Sequence, residues 1–202
     1  MKTIAFMGQE LVLLQQEDPP AAALHIGERT LEVPMAWAFQ RAIDCGLAAT
    51  RMLEVGAVLP YHVDRPGSTG PILHRVIDPY DPFAACDQRD AETVDFTGRD
   101  VLSISTIEHM GLYEYGNPLF DPDKGWRVFE KIVGSAARYL VTFPLGYNLK
   151  LDARVAQSAC PRQLYVQTSP FNTWAPAVTE DWAIAYGRPF PWANAICVCA
   201  KT

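Results

Sequence analysis

The adjacent pair Glu108 and His109, inside SISTIEHMG, holds the residue types best suited to moving a proton. A histidine, with an ordinary pKa near neutrality, can take a proton from a nucleophile, and a neighbouring carboxylate can orient it or bind a substrate amine. Successive residues on a helix point different ways, so the two do not line one pocket wall equally. Glu108 has a second reading, because after Ser105 and Thr106 it stands where a capping-box acid would cover a helix N-terminus. Upstream, Glu54 and Gly56 in RMLEVG form the first half of a nucleotide-type site. An acid at a strand end receives a ligand's hydroxyls or ammonium, and the glycine lets backbone approach without an intervening Cβ. An apolar-flanked carboxylate also needs a partner to offset its desolvation. Asp78, before a proline in VIDPYD, is either a second ligand acid or the opener of a turn. Glu92 is either a site acid or a solvated loop acid, with Asp95 as the alternative. Tyr113, Tyr115 and Tyr147 sit in glycine-containing loops near strand ends, where aromatic faces can enclose a ligand cation or simply pack.

These side chains need elements that bring them together. The apolar run Arg51–Val55 predicts a short buried strand that delivers Glu54 and Gly56 into a turn. Ile72–Ile77 predicts a second strand ending at Asp78, and Glu92–Phe96 a third short one. Val101–Ile104 is continuous enough for a central parallel strand, with Ser103, Ser105 and Thr106 crowding its C-terminal end. Met35–Gly46 has helical spacing and closes on a glycine, and Gly125–Ala137 is amphipathic. Arg138–Pro144, Gln163–Ser169 and Ala195–Ala200 read as strands, and Leu151–Ala159 as a short helix. Strand, helix or loop, strand, repeated, predicts an α/β fold with a mostly parallel sheet flanked by helices and an antiparallel strand near the C-terminus. Ligands in such sheets sit beyond the C-terminal strand ends, where Glu54, Asp78, Glu92 and the Ser105–His109 stretch fall.

Composition narrows the class of partner. With 202 residues and 49% hydrophobic content, the chain supports one sizeable core and not two independent domains. We therefore expect one domain over 1–202, with 1–33 as an N-terminal lid or hairpin layer and 34–202 as the core. Net charge is −6 and no basic run occurs, which disfavours a nucleic-acid partner. No apolar run reaches the ~18 residues of a membrane span, and MKTIAFMGQELVLL is broken by Gln9 and Glu10 as a signal segment. A cytoplasmic monomer or homodimer acting on a small molecule is expected. The five cysteines lack CxxC spacing and the four histidines do not pair, so no metal site is expected. Cys197 and Cys199 alternate in AICVCA as small core residues.

The order of elements and several segments resemble the class I S-adenosylmethionine-dependent methyltransferases, over roughly Arg29–Thr202. LEVG at 53–56 resembles the family's first motif, VIDPYD at 76–81 its second, and ETVDF at 92–96 its third. SISTIEHMGLYEYGNP at 103–118, VTFPLGYNLKLD and PFPWANAICV are similar to a bacterial subgroup with an STIEH-type segment. The resemblance implies a Rossmann-like class I methyltransferase fold with helices on both faces. It also implies S-adenosylmethionine as cofactor, held by Glu54, Gly56, Asp78 (on the ribose hydroxyls), Glu92 (near the adenine amine) and Ser105. Val58 and Pro60 stand where further motif glycines would be, so Tyr61 and His62 are expected to fill that space beside the substrate. The expected activity is methyl transfer to a small nucleophile, with His109 as base, Glu108 beside it, and Tyr113, Tyr115 and Tyr147 around the acceptor. Two alternatives are intramolecular displacement releasing methylthioadenosine and a non-catalytic binding module.

Overall fold

Apolar residues at a period of two build the strands and divide the core between two faces of a sheet. Val101, Tyr139, Val141 and Cys197 turn to one face, whereas Leu102, Leu140, Ile196 and Val198 turn to the other. The computed structural model describes residues 2–14, 27–43, 51–82, 86–114, 119–170 and 173–202. Tyr115, singled out from the sequence, lies outside the described residues, as do His25 and Cys45. An N-terminal hairpin, β1 (Thr3–Phe6) and β2 (Gln9–Val12), forms a small antiparallel sheet. The main sheet holds β3 (Met52–Val55), β4 (Arg75–Ile77), β5 (Asp100–Ile104), β6 (Arg138–Pro144), β7 (Arg162–Ser169), β8 (Thr173–Pro176) and β9 (Ala195–Lys201), in the order β4-β3-β5-β6-β9-β7-β8.

This architecture corrects the expected Rossmann-like class I methyltransferase fold. The sheet is not mostly parallel: β4–β3, β3–β5 and β5–β6 pair in parallel, while β6–β9, β9–β7 and β7–β8 pair antiparallel. Nor do the helices alternate with the strands in full layers, being too few for that fold. Among the described residues three α-helices occur, α1 (Arg29–Ile43), α2 (Lys124–Ser135) and α3 (Leu149–Gln157). One face is covered by α1 with the β1–β2 hairpin, the other by α2 and α3. Between β3 and β5 the helical elements among the described residues are 3₁₀ turns alone, at Leu59–His62 and Ala91–Thr93. The prolines and glycines of 66–71 and 79–82 deny that region a helix. The run Glu92–Phe96, expected as a strand, begins in the second of these turns, and its Val94 and Phe96 bury from a loop.

The helix expected from Met35 instead begins at Arg29, although Pro34 lies inside it. A proline there leaves the carbonyl four residues back without its intrahelical donor. That carbonyl, on Thr30, accepts the N–H of Leu14 at 3.1 Å, so the proline's lost bond is replaced by one from the chain leaving β2. The Tyr165 hydroxyl donates to the Ala5 carbonyl at 3.3 Å, fastening the hairpin to β7 as well. Cys197 and Cys199 are buried and free. No helix among the described residues is long and apolar enough to cross a membrane.

Candidate functional site

Beyond the C-terminal ends of the neighbouring parallel strands β3, β4 and β5 lies a cavity of about 300 Å³. Gly56 to Val58 form one wall and Asp78 to Pro82 a second. Ser105, Thr106 and His109 to Gly111, with Glu114, form a third, and Arg29, Ile77, Asp90, Ala91 and Lys124 complete it. The lining carries four carboxylates, on Asp78, Asp81, Asp90 and Glu114, against the two cations Arg29 and Lys124.

Two acids hold the turn after β3. Glu54 is fully buried, and its Oε1 accepts the N–H groups of Val58 and Leu59 at 2.9 and 2.7 Å. Its Oε2 lies 2.7 Å from His74 Nε2. Three internal partners offset the desolvation of this carboxylate, and Glu54 does not line the cavity. Asp78 does. Its Oδ2 accepts the Ala57 N–H at 3.0 Å, and its Oδ1 accepts those of Tyr80 and Asp81 at 2.9 and 3.1 Å. These use three of the roughly four hydrogen bonds a carboxylate can accept. The acid therefore opens the turn, as one sequence reading had it, and still faces the cavity.

Gly56 is required by a close approach. Its φ is +86°, and a Cβ there would fall 2.0 Å from Thr106 Oγ1 and 2.4 Å from Thr106 Cγ2. The bare backbone thus lets the turn after β3 meet the segment after β5. Gly56→Ala is expected to cost about 2–4 kcal/mol, combining left-handed backbone strain with overpacking. Urea denaturation checks this, and a loss under about 1 kcal/mol would contradict the packing described.

Behind the cavity, Glu32 of α1 is fully buried. Its Oε1 accepts the hydroxyls of Ser105 and Thr142 at 2.7 and 2.6 Å, and its Oε2 pairs with Arg29 Nη1 at 2.6 Å. Burial pushes this carboxyl's pKa up, and the Arg29 charge pulls it back. Ser105 therefore faces inward to Glu32, with a φ of +36°, while also lining the cavity.

His109 is held by a carboxylate that the sequence reading did not name. Its Nδ1 lies 2.6 Å from Glu114 Oε2, and Glu114 Oε1 accepts the Tyr147 hydroxyl at 2.7 Å. The His109 and Tyr147 rings meet edge to face at 4.6 Å. Desolvation lowers the His109 pKa, and the Glu114 bond opposes that without reversing it.

Glu108 is fully buried and neither of its oxygens makes a hydrogen bond. His109 Nε2 stands 3.5 Å from its Oε1, within ion-pair range but too far for a good hydrogen bond. No capping box forms, since the Thr106 hydroxyl donates to the Ile104 carbonyl. Burial raises the Glu108 pKa well above the ordinary carboxyl value. A raised folded-state pKa contributes stability below the unfolded value and loses it as pH climbs through the folded one. The Glu108 contribution to stability is therefore expected to fall as pH rises above the ordinary carboxyl range, and Glu108→Gln to remove about 1–3 kcal/mol of pH-dependent loss relative to the parent. Urea denaturation of parent and variant at a series of pH values above 5 checks it, and an unaltered pH slope in the variant would contradict it.

The remaining candidates scatter. Glu92 pairs with Arg127 at 2.6 Å and Asp95 bonds the Thr97 N–H, both outside the cavity lining. Asp90, two residues before Glu92, reaches the cavity instead and pairs with Lys124 at 2.5 Å. The Tyr61 hydroxyl donates to Asp81 at 2.8 Å. His62 is buried, its Nδ1 lacks a hydrogen-bond partner, and desolvation lowers its pKa to about 4. Tyr113 is exposed and stacks on Phe120 at 5.2 Å. Tyr147 alone of the described loop tyrosines joins the His109 cluster. Arg29 and Glu32 carry no site signal in the sequence because they fall in the expected lid, and Lys124 because it precedes the predicted helix. No group of metal-ligating side chains with a suitable arrangement occurs among the described residues. No protein-family model, curated protein or solved structure matches this chain.

Proposed function

We propose that the cavity binds S-adenosylmethionine and that the chain transfers its methyl to a small nucleophile. The observation that carries this reading is the lining at the strand ends: an excess of carboxylates, one of them bonded to a histidine that faces the cavity. A site with more anionic than cationic groups favours a ligand bearing a sulfonium and an ammonium. The volume lies at the lower end of small-molecule sites, and the donor set fits the group. Asp78 retains accepting capacity for a hydroxyl, and Ala57 and Val58 offer a wall without bulky side chains. The likeness of LEVG, VIDPYD and the STIEH segment to methyltransferase motifs supports the identity of the cofactor. When bound, it supplies a methyl already activated by positive sulfur. The chain's own residues then have the lesser task of aligning an acceptor and removing its proton, which assigns His109 as base.

Calorimetric titration of the purified chain with S-adenosylmethionine tests the reading. We expect saturable binding with a Kd on the order of 1–100 μM, about −8 to −5 kcal/mol. Absence of heat at millimolar ligand would overturn the proposal.

A further inference from the structure

We propose that Glu114 is the positioning residue of a proton-accepting array with His109 and Tyr147, and that the acceptor it serves is a neutral group that must lose a proton, such as a hydroxyl. The inference rests on the methyl-transfer reading. Its geometry is independent of that reading: one carboxylate accepts from His109 Nδ1 at 2.6 Å and from the Tyr147 hydroxyl at 2.7 Å. Tyr147 in turn packs edge to face on His109 at 4.6 Å and on Tyr186 at 5.1 Å. Glu114 is thus fixed from two sides, although it sits in a loop and is partly exposed.

A carboxylate on Nδ1 selects the tautomer with the proton on that nitrogen and leaves the Nε2 lone pair as the base. Such a base is useful only to an acceptor that must lose a proton. An acceptor oxygen forms its new bond to the methyl carbon with its own lone pair. The carbon–sulfur pair stays on sulfur, and the hydroxyl proton passes to His109 Nε2. The imidazolium so formed lies between Glu114 and Glu108, whose Oε1 is 3.5 Å from Nε2. A carboxylate acceptor has no proton to give and is repelled by the acidic lining. The groups facing His109 are Glu114 and Glu108 from its own segment, Arg29 and Glu32 from α1, and Tyr147 from the loop before α3.

The test is the His109 ring titration by NMR in the full chain, assigned by comparison with His109→Asn. In the parent chain the neutral Nδ1–H tautomer should dominate. Glu114→Gln should lower the His109 pKa by about one pH unit and mix the tautomers, and Glu114→Asp should restore much of both. An unchanged pKa and tautomer in Glu114→Gln would overturn the positioning role. With S-adenosylhomocysteine present, phenol should shift the Nε2 resonance and benzoate should not; equal responses would overturn the assignment of a neutral, proton-bearing acceptor. Calorimetry with S-adenosylmethionine on the same variants keeps the readings separate: loss of binding in the parent chain counts against the cofactor, not against the array.

Discussion

Glu32→Ala is expected to destabilise the chain by about 3–5 kcal/mol, the cost of removing one partner from a buried ion pair. The carboxylate joins Arg29 to the hydroxyls of Ser105 and Thr142, and so ties α1 to the end of β5 and to β6. Truncation leaves the guanidinium without its 2.6 Å partner and strands two buried hydroxyls facing a void. Glu32→Gln should cost less, since the amide oxygen can still accept one hydroxyl, but its NH₂ meets the Arg29 donors. Chemical denaturation separates the two variants from the parent, and a Glu32→Ala loss under about 1 kcal/mol would show that the cluster is not structural. Because Ser105 lines the cavity and Glu32 fixes its hydroxyl, the same variant should also weaken ligand binding.

The second large effect concerns chemistry. If His109 is the base, His109→Asn should reduce methyl transfer about 10²–10⁴-fold, the usual contribution of a positioned proton acceptor. Affinity for S-adenosylmethionine should stay within about threefold, because the acids and amides after β3 and β4 are untouched. Transfer of labelled methyl to the small-molecule fraction of a cell extract measures the first quantity, and calorimetry the second. Equal activity in the variant and the parent would remove His109 from the mechanism.

The elements around this site were unequally legible in the sequence. The strands β5, β6, β7 and β9 and the helix α2 were plain, because their apolar residues run continuously or at a clear period. Direction was legible only in part: an antiparallel strand near the C-terminus was expected, but not that β9, β7 and β8 would make half of the strand pairings antiparallel. The expectation of a mostly parallel, Rossmann-like sheet layered with helices failed at that point, and again where the links after β3 proved to hold short 3₁₀ turns in place of helices among the described residues. Pro34 hid the start of α1, since the bond that compensates it comes from Leu14, far away in sequence.

For the site, the acids that spacing singled out split by environment. Asp78 and His109 reach the cavity, whereas Glu54 is consumed by the turn it braces and Glu92 by Arg127. Glu114, Asp90 and Glu32 carry no local signature, because each owes its role to a partner that only the folded chain supplies.

A crystal structure of the chain with S-adenosylhomocysteine tests the central claim most directly. The account predicts density for the nucleoside against Ala57, Val58 and Asp78, with the sulfur turned toward His109. Ordered ligand at any other place, or a cavity still holding only solvent at saturating concentration, would contradict it.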